Sequence, residues 1–229
     1  MPVHPVETYL KNISEIYRTY GGTQEESYYG ALENFLNTIG RTLKPKVRCV
    51  LQLKDTGAGE PDFGLYSSSQ FLHNNDERPL EGQLPERGVI EAKGWKDDVY
   101  ETADSEQAQK YLEKYKLVLV TNYREFLLLG IDNNKKKVVL EFISIAQSAD
   151  LFRALFEHPQ KAGVEAGDRL VDFLRRVMLY TAPLDKPQDL AWFLASHARE
   201  ARHRIDGTPN LPELDNLRKA LENALGMKF

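Results

Sequence analysis

The stretch Arg87-Gly-Val-Ile-Glu-Ala-Lys93 decides how this chain folds and where its chemistry lies. Its short apolar run, which follows a long polar segment, predicts a β-strand. Because side chains alternate along a strand, Glu91 and Lys93 project from one face, and Ile90 and Ala92 project from the other. The strand therefore presents a carboxylate beside an ammonium group.

A second strand, PDFGLY at residues 61–66, brings another carboxylate. The same alternation places Asp62 on one face, and Phe63 and Leu65 on the opposite face. If the two strands are neighbours in a sheet, Asp62 and Glu91 converge on one site. The two strands together predict a paired-carboxylate site with a lysine next to it.

Paired carboxylates of this kind indicate a metal-dependent hydrolase. Two carboxylates a few ångströms apart repel each other unless a cation neutralises them, and hard oxygen ligands select Mg²⁺ or Mn²⁺. Such an ion polarises a phosphodiester oxygen and lowers the pKa of a bound water. We expect Mg²⁺ as the cofactor, with Mn²⁺ able to substitute. We expect Lys93 to orient or deprotonate the water, or to stabilise the developing charge.

The rest of the first two thirds predicts an α/β domain with a central mixed β-sheet flanked by helices. Two helices are predicted first, and three strands follow, with a polar loop at 67–86 between the last two. Another helix and three more strands complete the domain near residue 145. The predicted helices are Val6–Tyr20, Gln24–Leu43 and Asp104–Tyr115, and the predicted strands are KVRCVLQL (46–53), PDFGLY (61–66), RGVIEAK (87–93), KLVLVTN (116–122), REFLLLGI (124–131) and KKVVLEFI (136–143).

Beyond Ala146 the strand signals stop, and the pattern predicts an all-helical C-terminal region. Its predicted helices are residues 146–157, 165–180, 187–205 and 211–225. The last of these carries an apolar stripe, which we interpret as packing because it lasts under three heptads: Leu214, Leu217, Leu221 and Leu225.

Composition excludes several classes of protein. Hydrophobic residues make up 41% of the chain and charged residues 28%, which is typical of folded globular proteins. There is no apolar run long enough to span a bilayer and no secretory signal, so we expect a cytoplasmic protein without membrane contact. The single cysteine, Cys49, excludes an internal disulfide, and its strand position predicts a core residue.

A formal net charge of −4 argues against a chain that coats nucleic acid through bulk positive charge. One segment nevertheless holds five basic residues and no acidic one: Arg41, Lys44, Lys46, Arg48 and Lys54. This segment is either a local DNA-contacting face or a solvated strand edge.

Pro61-Asp62 followed by Glu91-Ala92-Lys93 resembles the PD-(D/E)XK signature of the restriction-endonuclease-like superfamily. The resemblance implies a restriction-endonuclease-like core in which Asp62, Glu91 and Lys93 are catalytic and the two carboxylates bind the metal. Two further matches lie on helices. Gln107 and Tyr111 resemble the Q-x-x-x-Y element of the exonuclease-like branch, which adds Gln107 to the catalytic residues. Glu33 resembles the acidic residue on the helix before the sheet, so Glu33 and Tyr111 are accessory candidates.

Each of these residues also has a purely structural interpretation. Asp62 can be a turn residue after Pro61, and Glu91 with Lys93 can form an ion pair on an edge strand. Trp95, just after the site strand, either stacks on a base or packs in the core. The helical candidates can be ordinary helix-surface or half-buried side chains: Glu33, Gln107 and Tyr111.

Residues 20–145 also resemble the N-terminal region of large single-chain restriction-modification enzymes of the type ISP and type IIG kind. The segments that carry the resemblance are ESYYGALENFLNTIG, LKPKVRCV, GAGEPDFGLY, RGVIEAKG and KLVLVTNYREFLLLG. The tail, with APLDKPQDLAWFLASHAREAR and LRKALENALG, resembles the coupler that leads into an adenine-N6 methyltransferase. The Asn/Asp-Pro-Pro-aromatic motif of that methyltransferase is absent from these 229 residues.

These resemblances imply a nuclease domain at 1–145 and a helical coupler at 146–229. We expect a Mg²⁺-dependent DNA endonuclease that is the cleavage module of a bacterial restriction-modification or phage-defence enzyme. Its expected partners are double-stranded DNA and, in the same longer chain, a methyltransferase and a target-recognition domain. The alternatives are a catalytically inactive nuclease-fold module that binds DNA or a partner domain, and a structure-specific nuclease such as a junction resolvase.

Overall fold

A six-stranded mixed sheet forms the centre of the computed structural model, which describes residues 3–20, 25–55, 57–72, 75–183, 186–206 and 219. The strand order is β1-β2-β5-β6-β7-β8, and β3 and β4 form a separate two-stranded sheet. The strands are β1 Val47–Leu51, β2 Phe63–Ser67, β3 Phe71–Leu72, β4 Asn75–Pro79, β5 Val89–Ala92, β6 Val118–Thr121, β7 Glu125–Ile131 and β8 Lys137–Ser144.

Every neighbouring pair in the large sheet is antiparallel except β5 and β6, which run parallel. Parallel neighbours need a crossover connection that returns the chain to the same end of the sheet. Two helices between these strands, Val99–Ala103 and Glu106–Tyr115, provide it. The mixed α/β sheet predicted from the sequence is confirmed.

Helices lie on both faces of the sheet. The helices of the described residues are α1 Pro5–Tyr20, α2 Tyr29–Gly40, α3 Val99–Ala103, α4 Glu106–Tyr115, α5 Ala149–Leu155, α6 Pro159–Leu179 and α7 Pro187–Asp206. Alternate residues of β7 identify the two faces: Phe126 packs near Phe173 of α6, whereas Leu127 shares a buried cluster with Tyr111 of α4. The sheet therefore lies between α1, α2 and α6 on one side and α3 and α4 on the other.

Small residues allow α1 and α6 to approach closely. A Cβ atom at Gly167 would lie 2.3 Å from the His4 ring, and one at Gly163 would lie 3.4 Å from the Glu7 Cβ. The Tyr9 hydroxyl donates to the backbone oxygen of Tyr123 at 2.8 Å, which fastens α1 to the sheet. The N-terminal helix is thus built into the same core as residues far along the chain.

Two local predictions were wrong. The segment predicted as a polar loop at 67–86 contains the β3–β4 pair, and the helix predicted from Gln24 begins at Tyr29, after a 3₁₀ turn at Glu25–Tyr28. The structure also adds α3, which the sequence pattern did not predict. Its first turn is capped by Asp98, whose carboxylate accepts from the backbone N–H groups of Tyr100 and Glu101.

Between Ala146 and Asp206 the described residues form the helices α5, α6 and α7, which are joined by turns, and they form no strand, which confirms the predicted all-helical tail up to Asp206. The predicted helix at 211–225, with its leucine stripe, lies outside the described residues apart from position 219. Contacts divide the chain into two compact units, Met1–Ala182 and Pro183–Phe229. Helices α5 and α6 belong to the first unit, and the functional division at residue 145 stays a prediction.

Within the described ranges, none of the helices combines the length and the apolar character needed to cross a bilayer.

Candidate active site

The pairing of β2 with β5 brings Asp62 next to Glu91. Phe63 lies opposite Ile90 in this antiparallel pair, so Asp62, one residue earlier, lies beside the end of β5. Its Oδ2 atom accepts a hydrogen bond from the backbone N–H of Ala92 at 2.8 Å. The Asp62 carboxylate therefore contacts the peptide group that joins Glu91 to Ala92.

The other oxygen of Asp62 is held by Tyr29. The Tyr29 hydroxyl donates to Oδ1 at 2.6 Å, and its ring packs edge-on against Phe63 with 5.1 Å between ring centres. Hydrogen bonds to a carboxylate are among the strong ones in proteins. Helix α2 thus fixes the position of Asp62, and Tyr29 is a site residue that the sequence reasoning missed.

Glu91 and Lys93 form an ion pair at the same site. Lys93 Nζ lies 2.9 Å from Glu91 Oε1, and the two side chains are 37% and 9% exposed. The carboxylate is therefore nearly buried, while the ammonium group reaches the solvent. Lys93 therefore supplies a positive charge beside Glu91.

Tyr111, which is on helix α4, lies against this cluster. Burial raises the pKa of its hydroxyl, and the carboxylate of Glu91 raises it further, with a smaller contribution from Asp62. A hydrogen bond with Gln107 and the charge of Lys93 act in the opposite direction. Tyr111 is thus hydrogen-bonded with Gln107 and within electrostatic range of Glu91, Asp62 and Lys93.

Gln107 also closes the glycine-rich loop that leads into β2. Its Nε2 atom donates to the backbone oxygen of Ala58 at 2.9 Å. Gly59 has φ +101°, and a Cβ there would lie 2.3 Å from Gln107 Nε2. The loop is turned by Asp55, whose Oδ1 accepts from the N–H groups of Gly57 and Gly59. Gln107 therefore positions the chain that delivers Asp62.

Glu33 contacts the outer edge of β1. Its carboxyl group accepts a hydrogen bond from the backbone N–H of Leu51; burial raises its pKa, and this hydrogen bond and the nearby Arg48 partly offset that effect. One helical turn later, Asn37 bonds both the N–H and the carbonyl of Cys49, at 2.9 and 3.1 Å. Side chains of α2 thus satisfy the open backbone groups of an edge strand, which gives Glu33 a structural explanation.

Two further side chains are buried. Cys49 is 2% exposed, and burial raises the pKa of its thiol, which confirms the core interpretation. Trp95 is 9% exposed and packs against Tyr17, Tyr28 and Phe156. The packing interpretation of Trp95 is therefore confirmed.

The five basic residues of the 41–54 segment separate in space. Arg41, Lys46 and Arg48 line one cleft together with Ser68 and Phe71. Lys44 and Lys54 are exposed and do not line it.

Two carboxylates, Asp62 and Glu91, are the side chains of this site whose chemistry would suit a metal ion. In the part of the chain that the structure describes, His, Cys, Asp and Glu side chains form no group of three or more that could hold a metal ion. A cation held by Asp62 and Glu91 would therefore take most of its ligands from water or from a substrate.

Comparison with known proteins gives a structural likeness. No family model and no curated protein matches the chain. A solved structure does. It is a chain from a cryo-EM structure of a DrdV–DNA complex, 16% identical with a TM-score of 0.47, and the likeness covers 80% of this chain and 14% of that chain. This chain thus spans about one seventh of the length of that protein.

Proposed function

We propose that this chain is a Mg²⁺-dependent DNA endonuclease whose active site consists of Asp62, Glu91 and Lys93. The observation that carries the proposal is the β2–β5 pairing, which sets the Asp62 carboxylate against the Glu91–Ala92 peptide. Two carboxylates and an ammonium group in one half-buried site are the residue types that metal-assisted phosphodiester hydrolysis needs.

The donor set suits Mg²⁺. Mg²⁺ usually binds through one or two carboxylates together with substrate phosphates, and it keeps several waters. Each oxygen of Asp62 accepts one described hydrogen bond, and a carboxylate has about four acceptor positions, so capacity remains for a cation. When bound, Mg²⁺ or Mn²⁺ would supply a Lewis acid and a water of lowered pKa.

The protein's own residues then have separate tasks. Lys93 lies at the solvent side of the pair and is placed to hold a water or to neutralise charge that develops on a phosphate. Tyr29 holds Asp62 in position, and Gln107 holds the loop before β2. Tyr111, with a raised pKa, stays protonated near neutral pH and contributes an uncharged side chain to the lining of the site.

The biological setting that we propose is the cleavage module of a bacterial restriction-modification or phage-defence enzyme. In that setting a methyltransferase and a target-recognition domain lie elsewhere in a longer chain. This part of the proposal rests on the sequence resemblance over residues 20–145. A structure-specific nuclease would use the same residues on branched DNA.

One observation favours a second candidate, a catalytically inactive module that binds DNA or a partner domain. Lys93 already neutralises the nearly buried Glu91, so one of the two carboxylates has its charge balanced without a metal ion. Such a module would keep the ion pair for stability alone.

Titration calorimetry with Mg²⁺, followed by cleavage assays, separates these candidates. We expect the parent chain to bind Mg²⁺ and to nick or linearise plasmid DNA, and we expect Glu91→Ala to lose both properties while its far-ultraviolet spectrum is unchanged. A parent chain that binds neither Mg²⁺ nor Mn²⁺ would support the inactive module. Cleavage of four-way junctions in preference to plasmid would support the structure-specific nuclease.

A further inference from the structure

A cationic cleft runs along the outer side of β1, separate from the carboxylate cluster. It is lined by Asn37, Arg41, Lys46, Val47, Arg48, Ser68 and Phe71. We propose that this cleft binds a backbone phosphate of the duplex DNA that the proposed active site cleaves. The inference rests on the proposed function for its substrate, and it adds a binding site to that function.

The charge of the cleft is uniformly positive along its lining. Arg41 and Lys46 are exposed, and the described residues offer neither of them an ion-pair partner. Arg48 has the acidic group Glu33 near it, and the carboxyl group of Glu33 already accepts from the Leu51 N–H. An anion is therefore the ligand that this lining favours.

Arg48 is held in an orientation that suits phosphate. Its guanidinium carbon lies 5.4 Å from the centre of the Phe71 ring, a distance typical of a cation–π contact. Contact with the ring restricts the orientation of the guanidinium plane. Its N–H groups are left to donate along the edge of that plane, which is how arginine binds a phosphate through two hydrogen bonds. Phe71 is 7% exposed, so it supports the arginine and does not offer a surface for base stacking.

Some polar groups of the cleft are already hydrogen-bonded within the protein, and others are left to contact a ligand. The Asn37 amide is engaged by the backbone of Cys49, so it forms a wall. Ser68 is exposed. Its backbone N–H donates to the carbonyl of Lys46 at 3.0 Å, and this bond joins the two sides of the cleft. The Ser68 hydroxyl and the three cations are the groups that can contact a ligand.

The position of the cleft relative to the carboxylates suits one duplex that contacts both. Arg48 lies opposite Tyr66 in the β1–β2 pair, and alternation puts Tyr66 on the same strand face as Asp62. Four residues of strand span about 13 Å, which corresponds to about four base steps of 3.4 Å. The cleft would therefore hold a phosphate a few nucleotides from the scissile bond. Such a contact fixes the position of the protein along the duplex and does not distinguish base sequences.

The test measures DNA binding without cleavage, so that it does not depend on catalysis. A fluorescent duplex is titrated with the full chain in EDTA, at several salt concentrations, by fluorescence anisotropy. The variant combines Arg41→Gln, Lys46→Gln and Arg48→Gln. We expect its Kd to rise about tenfold and the slope of log K against log salt to fall by about 1 to 2, since each lost phosphate contact removes about 0.9.

A charge-matched control replaces three exposed lysines elsewhere, Lys135→Gln, Lys136→Gln and Lys161→Gln. This control should keep the parental slope. Because Arg48 packs on Phe71, a second variant with only Arg41→Gln and Lys46→Gln changes exposed residues alone. This variant should fold like the parent and still lose about one phosphate contact, as measured by the slope of log K against log salt.

The outcomes separate the cleft from the active site. A parental Kd and slope in both cleft variants, equal losses in the control, or a parent chain that does not bind duplex DNA would each overturn the cleft proposal. A cleft that binds polyglutamate more tightly than DNA would assign it to an acidic protein partner and would also overturn the proposal. DNA that is bound through the cleft but never cut with Mg²⁺ or Mn²⁺ would refute the nuclease and leave the cleft standing.

Discussion

The ammonium group of Lys93, 2.9 Å from the Glu91 carboxylate, is the group whose removal best tests the mechanism. We expect Lys93→Ala to bind Mg²⁺ as tightly as the parent or more tightly, because a positive charge beside the carboxylates is lost. Cleavage should fall by about 10²-fold or more, as for a positioned acid, base or charge-stabilising group. Calorimetry and initial cleavage rates on the same preparations measure the two effects.

Lys93→Arg is the companion variant. A guanidinium does not give up its proton, and its planar fork does not occupy the place of an ammonium group. We therefore expect incomplete rescue. Parental cleavage by Lys93→Arg would exclude proton transfer and leave charge stabilisation, and parental cleavage by Lys93→Ala would remove Lys93 from the mechanism.

Two adjacent tyrosines provide a matched pair of tests. Tyr29→Phe removes the hydroxyl that donates to Asp62 at 2.6 Å, and the loss of such a bond to a charged group costs about 1.5–3 kcal/mol. We expect weaker Mg²⁺ binding and about tenfold slower cleavage, with the KM for DNA unchanged. These are measured by calorimetry and by steady-state kinetics.

Tyr28→Phe is the control for that change. The Tyr28 hydroxyl is buried and, among the described residues, has no hydrogen-bond partner. Its removal should leave cleavage unchanged and should keep or slightly raise the melting temperature, because no bond is lost. Equal effects of the two substitutions would show that Tyr29 does not act through Asp62.

The placement of Asp62, Glu91 and Lys93 followed from the period of two in their strands, because alternation depends only on local backbone geometry. Tyr29 was not predicted, since its contact with Asp62 depends on how α2 packs beside β2. The sequence did offer one indication of it, because Tyr29 lies four residues before Glu33 and therefore on the same helix face. Glu33 was chosen by resemblance, and whether it has any role in catalysis remains a prediction to be tested.

At the scale of elements, Glu33 links α2 to the edge strand β1, and its titration should be visible in stability. Its pKa is raised above its ordinary value of 4.5, mainly by burial. A carboxyl group with a raised folded-state pKa stabilises the fold below 4.5, and this contribution is lost as the pH rises through the folded-state pKa. We therefore expect Glu33→Gln to melt above the parent at pH 7.

That advantage should shrink as the pH falls towards 4, where Glu33 itself becomes protonated. Melting curves between pH 4 and pH 7 check this, and cleavage at pH 7 should be unchanged because the amide oxygen can still accept from Leu51. Lost cleavage with an unchanged melting temperature would contradict the edge-strand role and support the accessory role predicted from the sequence.

A second link between elements joins α6 to β8. Arg176 is 1% exposed, and its Nε and Nη2 atoms donate to the Glu141 carboxylate at 3.0 and 2.7 Å. Removing one partner of a buried pair leaves an uncompensated charge. Glu141→Ala should therefore lower the free energy of unfolding by about 3 kcal/mol in urea denaturation.

The comparison for that change is Glu165→Ala, at an exposed residue of α6 whose partner Lys161 is also exposed. We expect its effect to stay below about 0.5 kcal/mol. A loss of similar size at both positions would show that Glu141 is no more than a surface charge.

The elements that the sequence did not reveal share a physical cause. Strand β4, Asn75–Pro79, is polar along its whole length and lacks the alternation that identifies β5 or β7. Helix α3 is only five residues long, too short for a helical period to repeat. Pairing and capping, which form only in the folded chain, determine both elements.

At the scale of the whole molecule, α6 packs against α1 and α2 and belongs to the first compact unit. A fragment of residues 1–145 would leave the buried residues Tyr9, Leu10 and Ile13 without part of their cover. We expect that fragment to bind a hydrophobic dye and to lack a cooperative melting transition, whereas residues 1–182 should melt cooperatively. An equally sharp transition in both fragments would support an autonomous domain that ends at residue 145.

The packing of α1 against α6 also sets the order of events during synthesis. Roughly 140 residues separate the end of α1 at Tyr20 from the start of α6 at Pro159, and ribosomes add about 5–20 residues per second. The apolar face of α1 therefore emerges about 7–30 seconds before the helix that covers it. During that interval α2 and then the sheet, through the bond from Tyr9 to Tyr123, cover only part of α1. A chaperone that holds this helix would therefore protect the nascent chain.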